Sequence, residues 1–123
     1  MAEHLGPRWH DDVQDHDYPA AESYLNLIFS EKRTAAIVEE LREAPITDFK
    51  AKDIFRASQL SLLGVSNFHV ERDRKKIREG TKLSPILLVR DRRTRKVIVA
   101  DGYHRLCAVY GFDEDALVPC KIV

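Results

Sequence analysis

Apolar residues between positions 20 and 44 recur every three or four places, which is the period of an amphipathic helix. The first group consists of Ala21, Tyr24, Leu25, Ile28 and Phe29, and the second of Ala35, Ile37, Val38, Leu41 and Ala44. Ser30 has the side chain of a helix N-cap, so the pattern fits two helices with a break near Ser30 or one bent helix. Pro45 ends the helical pattern. We expect this stripe to pack in the core, and a partner-binding helix is the functional alternative.

Shorter elements follow the proline. Residues 46–51 alternate between apolar and polar, as an edge strand does, and residues 53–58 fit a short helix. Residues 59–67 have the composition of a loop. A highly charged helix is predicted over residues 70–79, where Gly80 provides the C-cap.

The last third of the chain has the clearest pattern. Two apolar runs at 85–90 and 97–100 flank the polar residues 91–96, which predicts an antiparallel hairpin. A helix over 103–111 and a strand over 117–123 complete the order. The sequence therefore predicts an α/β (α+β) fold with a small mixed sheet and packed helices.

Composition narrows the classes of partner. The chain has 123 residues and a formal net charge of +0, which argues against a protein that mainly coats nucleic acid and leaves room for a local basic patch. No apolar run approaches the roughly 20 residues that span a bilayer, and residues 1–7 lack the features of a signal peptide. We therefore expect a cytoplasmic protein whose Cys107 and Cys120 are reduced.

Residues 1–18 are polar and rich in histidine and aspartate. A metal-binding arm is the sharper interpretation, since both side chains ligate divalent ions. A flexible polar tail is favoured, because no fixed ligand spacing is visible and chain termini are commonly disordered. We expect Trp9 to anchor this segment against the body of the protein.

Candidate chemistry is concentrated where the second hairpin strand meets the next helix. The strand ends at Asp101-Gly102, and His104 and Arg105 occupy the first helical turn. The free N–H groups and the dipole at a helix start favour an anion, and an arginine adds a bidentate donor for phosphate. The residues themselves therefore predict an anion site. Asp101 as a helix cap and Arg105 in an ion pair with Asp101 or Asp113 are the structural alternatives.

The order of elements from residue 46 onward, together with Gly102-Tyr103-His104-Arg105 and Ala108, resembles the ParB/sulfiredoxin superfamily. This resemblance covers residues 46–123, preceded by an N-terminal helical extension at 19–45. It implies that the box binds the phosphates of a nucleotide, ATP or CTP. The implied binding residues are Gly102, Tyr103, His104, Arg105, Lys82, Ser84 and Pro85.

Position 103 separates the chain from two branches of that superfamily. Sulfiredoxins have their catalytic cysteine there and ParB proteins a glutamate needed for CTP hydrolysis, whereas this chain has Tyr103. The box is most similar to that of free-serine kinases, through Asp101. Such chemistry needs a carboxylate base and a carboxylate-held Mg²⁺. Asp101 is the candidate for the base or the metal ligand, and Glu71 is a weaker candidate base.

Three functions follow as hypotheses. The first is a nucleotide phosphate-binding domain that transfers a phosphoryl group to a small substrate. The second is a non-catalytic nucleotide switch or protein-interaction module, in which the N-terminal helices hold a protein partner or a second copy of the chain. The third is a ParB-like DNA-binding protein or nuclease, against which the neutral charge counts.

Overall fold

The structure is a computed structural model that describes residues 6–62 and 67–123. It contains helices and strands in the order β1 (Arg8–Trp9), α1 (Asp17–Leu25), α2 (Glu31–Glu43), β2 (Thr47–Lys50), α3 (Ala51–Ser58), α4 (Phe68–Glu79), β3 (Lys82–Leu83), β4 (Ile86–Asp91), β5 (Lys96–Asp101), α5 (Tyr103–Phe112) and β6 (Leu117–Ile122). The predicted α+β class is confirmed.

Four strands form a mixed sheet in the order β2-β6-β4-β5. The hairpin of β4 and β5 is antiparallel, as predicted, and β2 is an edge strand antiparallel to β6. Strand β6 runs parallel to β4. Strands β1 and β3 make a separate parallel pair. Only one residue, Gly102, separates the end of β5 from the start of α5.

Both faces of the sheet are covered, which explains the unbroken apolar run in β4. Successive side chains of a strand point to opposite faces. Ile86 and Leu88 pack in one core with residues of α3, α4 and α5. Leu87 and Val89 pack in a second core with residues of α1 and α2. Much of the apolar stripe of the N-terminal helices is therefore core, and two helices rather than one bent helix carry it. Three of its members are exposed: Tyr24, Ile28 and Ala35.

Local capping signals explain where two of the helices begin and end. The Ser30 hydroxyl accepts a hydrogen bond from the Arg33 N–H at 3.2 Å and caps α2. Gly80 ends α4 with φ +74°, and its N–H donates to the Ile77 carbonyl, as expected of a C-cap glycine. Within the described residues, no helix is long and apolar enough to cross a membrane.

The N-terminal segment differs from the flexible tail expected over residues 1–18. Arg8–Trp9 pairs with Lys82–Leu83, Val13 is buried, and Asp17 is only 2% exposed. Trp9 packs against the core, as expected. The tail prediction is therefore wrong for residues 8–18, because backbone pairing and a buried carboxylate hold a segment whose composition is polar. Residues 1–5, and residues 63–66 of the predicted loop 59–67, lie outside the described residues.

Candidate anion-binding site

A cavity of about 410 Å³ opens where the N-terminal segment, helix α4 and the start of α5 meet. Its lining contains most of the residues that the sequence singled out: Lys82, Ser84, Asp101, Gly102, Tyr103, His104 and Arg105. It also contains Leu83, which adjoins the predicted Lys82 and Ser84, and residues that sequence reasoning missed: Gln14, His16, Arg72, Asp73 and Lys76. Residues from four separate parts of the chain therefore converge on one concave surface.

Two of the predicted site residues lie elsewhere. Pro85 is fully buried and is not part of the cavity lining. The Glu71 carboxylate lies 3.2 Å from Nη2 of Arg78 and 3.7 Å from Nε of Arg74, on the surface of α4. Glu71 is therefore paired with basic side chains and is not part of the cavity lining.

Gly102 determines the shape of the turn into α5. Its φ is +106°, and a Cβ at this position would lie 2.3 Å from Cγ2 of Ile86. Only glycine fits, since the left-handed conformation and the contact with Ile86 both exclude a side chain. The Gly102 carbonyl accepts the first helical hydrogen bond, from Leu106 N–H at 2.9 Å. The N–H groups in the first turn of α5 precede any intrahelical acceptor, and the residues of this turn line the cavity.

Arg105 is held by two carboxylates. Its Nη2 lies 3.0 Å from Oδ2 of Asp101 and 3.3 Å from Oδ2 of Asp17. The ion pair of Arg105 with Asp101 joins residues four positions apart. It is one of the two ion pairs that the sequence left open for Arg105. The Arg105 Nε is buried and has no hydrogen-bond partner among the described residues. A guanidinium has five N–H donors, so this arginine keeps hydrogen-bonding capacity for an anion.

Asp17 is the site residue that the sequence could least reveal. The first residue of α1, it accepts a hydrogen bond from the Ser84 hydroxyl at 2.6 Å. The Ser84 oxygen in turn accepts from the Gln14 N–H at 3.0 Å. These contacts join residues 67 or more positions apart. No local sequence motif predicts these hydrogen bonds, because they depend on how the N-terminal segment packs beside β3.

The side chains that line the cavity carry more positive than negative charges. Arg72, Lys76, Lys82 and Arg105 provide four positive charges against the two carboxylates of Asp73 and Asp101. The Asp73 carboxylate is buried and lies 4.0 Å from the Lys76 ammonium. A concave surface with an excess of one sign of charge concentrates ligands of the opposite sign. The charge pattern thus favours anions.

Burial shifts the protonation of two lining groups. The pKa of Asp101 is raised, chiefly by burial and further by the nearby Asp17, while Arg105 opposes the shift. The pKa of His104 is lowered, chiefly by burial and then by the charge of His69, whose ring centroid lies 4.8 Å from that of His104. Asp101 therefore keeps its proton to higher pH than an ordinary aspartate, and His104 is neutral at pH 7.

Tyr103 joins the start of α5 to the segment after α3. Its hydroxyl donates a hydrogen bond to the Ser61 carbonyl. Burial raises the pKa of this phenol, so it remains a donor near neutral pH. The ring also borders a second cavity of about 350 Å³ that shares Asp101, Gly102 and His104 with the first. The second lining is largely apolar and includes Ala20, Tyr24, Leu60 and Val99.

The donor set does not fit a protein-held metal ion. Among the described residues, no group of three or more His, Cys, Asp or Glu side chains is placed to hold one. The Asp101 carboxylate, which the sequence offered as a magnesium ligand, is in contact with Arg105. We therefore derive no chemical step through a metal bound by the protein alone.

Comparison of the chain with protein-family models, with curated proteins and with solved structures finds no match.

Proposed function

We propose that the chain binds the phosphate groups of a nucleotide, ATP or CTP, in the cationic cavity at the start of α5. One observation carries the proposal: Lys82 lines the same cavity as residues 103–105, the first turn of α5. Helix N-termini bind phosphate through their free N–H groups, and arginine matches phosphate geometry with paired donors. The excess of basic side chains in the lining supports the same ligand class.

The neighbouring apolar cavity favours a nucleotide over inorganic phosphate. It begins at the same turn, and Tyr24, Leu60 and Tyr103 contribute to its lining. A base or ribose attached to phosphates in the first cavity would have apolar and aromatic surface available beside it. The resemblance of the Gly102–Arg105 box to that of ParB/sulfiredoxin proteins supports this assignment and is part of the proposal.

Phosphoryl transfer to a small hydroxyl-bearing substrate is the reaction that we propose for this site. Asp101 is the carboxylate at the box and would accept the proton of the substrate hydroxyl. Its contact with Arg105 at 3.0 Å must loosen for that role. Magnesium would enter with the nucleotide, since this ion is commonly held by substrate phosphates with few protein ligands.

Binding without turnover is the second candidate function. Two observations favour it: the Asp101 carboxylate is already paired, and no metal-ligating cluster is formed by the described residues. In this case the bound nucleotide would act as a switch. Release of nucleoside diphosphate in the presence of amino acids or other small alcohols would decide for transfer, and tight binding without release would decide for the switch.

Calorimetric titration with ATP, CTP and pyrophosphate tests the proposal. We expect wild-type protein to bind, and the variants Lys82→Ala and Arg105→Ala to bind more weakly. Arg92→Ala is the matched control, because Arg92 is an exposed cation in the β4–β5 turn and does not line the cavity. Absence of binding by the wild type at millimolar ligand, or equal weakening in the control, would contradict the proposal.

A further inference from the structure

We propose that Asp17 is a positioning residue of the anion site, through which helix α1 fixes the Arg105 guanidinium for the ligand. This inference rests on the proposed function. It adds a residue from the N-terminal segment, outside the part of the chain that carries the superfamily resemblance.

The Asp17 side chain is buried, and its partners are residues of the cavity lining. Its side chain is 3% exposed. One oxygen, Oδ2, accepts from Ser84 Oγ at 2.6 Å and from Arg105 Nη2 at 3.3 Å. The other oxygen, Oδ1, lies 3.2 Å from Nε2 of His16. Two of its three partners, Ser84 and Arg105, are cavity-lining residues from distant parts of the chain, and the third, His16, also borders the cavity.

The fold holds Asp17 in place without help from a ligand. Helix α1 packs its buried residues Ala21 and Leu25 against the sheet, and β1 pairs with β3 immediately before Ser84. The carboxylate is therefore a fixed support. A free arginine side chain adopts many rotamers, so ordering it when a ligand binds costs conformational entropy. Orienting Arg105 in advance lowers that cost and strengthens binding.

Electrostatic repulsion alone and a positioning role predict opposite effects on anion affinity when the Asp17 carboxylate is removed. An affinity measurement therefore distinguishes them. A carboxylate beside an anion site repels the ligand, so its removal should tighten binding if charge alone matters. If Asp17 orients Arg105, its neutralisation should weaken binding despite the loss of one negative charge. Both Asp17 and Asp101 contact Nη2, and this nitrogen lies 3.0 Å from where a Cβ of Gly102 would be. Loss of Asp17 therefore leaves Asp101 as the one carboxylate of this pair that orients the guanidinium beside the Gly102 turn.

The experiment measures pyrophosphate and ATP affinity by calorimetry for Asp17→Asn, with Asp15→Asn as the matched control. Asp15 is exposed, lies in the same segment and undergoes the same change of charge. We expect Asp17→Asn to weaken binding by about tenfold, as loss of a charge-assisted hydrogen bond does, and Asp15→Asn to bind as the wild type does. In an Arg105→Lys background the effect of Asp17→Asn should shrink to about twofold or less.

Each outcome is decisive. Unchanged or tighter binding by Asp17→Asn overturns the proposal, as does an equal loss in the Arg105→Lys background, since Asp17 would then act by another route. If the wild type binds neither probe, the proposed function fails and this inference fails with it. Circular dichroism verifies folding; should Asp17→Asn not fold, Ser84→Ala takes its place. It removes the hydroxyl that contacts Asp17 and should weaken binding several-fold, whereas wild-type affinity would overturn the proposal.

Discussion

Arg105 and Asp17 are 88 residues apart in sequence, and Nη2 of one lies 3.3 Å from Oδ2 of the other. This contact joins the first helix of the chain to the start of the last. The same guanidinium contacts Asp101 from its own helical turn. The site thus contains one arginine between two carboxylates, and the two carboxylates differ in burial and in partners.

Substitution of the two carboxylates should have different consequences for stability. Asp17→Asn should lower the free energy of unfolding by about 1–3 kcal/mol, because the Arg105 and Ser84 donors lose a charged acceptor. Asp101→Asn should be neutral or stabilising near neutral pH, because burial raises the pKa of Asp101 and disfavours its ionised form. Urea denaturation of both variants measures the difference, and a larger loss for Asp101→Asn would contradict it.

The pH dependence of stability should identify Asp101 as the carboxylate that resists ionisation. Since its pKa is raised in the folded protein, the folded state holds this proton at pH values where the unfolded chain has released it. The contribution of Asp101 to stability is therefore present at low pH and falls as pH rises through the raised pKa. Between about pH 4 and pH 7, Asp101→Asn should gain stability relative to wild type. A constant difference across this range would be inconsistent with the assignment.

Gly102 should tolerate substitution less than another glycine with positive φ. Gly102→Ala places a Cβ 2.3 Å from Ile86 and should cost about 2–4 kcal/mol, from overpacking together with left-handed strain. Gly80→Ala is the control, because φ is +74° there and the nearest atom is 3.8 Å away. We expect about 1–2 kcal/mol for the control. Equal losses in thermal or urea unfolding would show that the close approach to Ile86 is unimportant.

A buried lysine should make Tyr18 important for attachment of the N-terminal helices. The Lys121 ammonium is buried and donates to Tyr18 Oη at 3.0 Å and to the Arg42 carbonyl at 2.9 Å. Tyr18→Phe removes one acceptor and should destabilise the protein by about 1–2 kcal/mol. Tyr24→Phe, at a ring that is 44% exposed, should leave urea unfolding unchanged. A Tyr18→Phe midpoint equal to wild type would argue against this role.

Both cysteines should be unreactive in the folded protein. Cys107 and Cys120 are buried, and burial raises the pKa of the Cys120 thiol to about 12. Because the thiolate is the reactive form, a thiol reagent near pH 8 should modify both residues only as the chain unfolds. Labelling in denaturant should then yield two modified thiols per chain. Rapid stoichiometric labelling of native protein would contradict this burial.

Local signals in the sequence were sufficient for much of the fold. The hairpin of β4 and β5, the C-cap at Gly80 and the turn at Gly102 each depend on neighbouring residues. The same signals located the start of α5 and its basic residues. These features were predictable because hydrophobic period and glycine conformation are properties of short segments.

Contacts between distant segments were not predictable from the same signals. Asp17 lies in a stretch whose polar composition is typical of a tail, and only its packing beside Ser84 buries it. The position of Glu71 outside the cavity lining was not predictable either. Val70, Asp73 and Ile77 form the buried side of α4, and successive helical residues differ in direction by about 100°. Glu71 is therefore turned toward Arg74 and Arg78 instead of the cavity.

The most direct test of the central claim is an NMR titration of ¹⁵N-labelled protein with ATP or CTP, followed through the backbone amides. If the nucleotide phosphates bind at the start of α5, the largest and saturable shifts should occur at Gly102, Tyr103, His104 and Arg105, and pyrophosphate should reproduce them. Absence of saturable shifts there, or shifts confined to the basic turn between β4 and β5, would contradict the account.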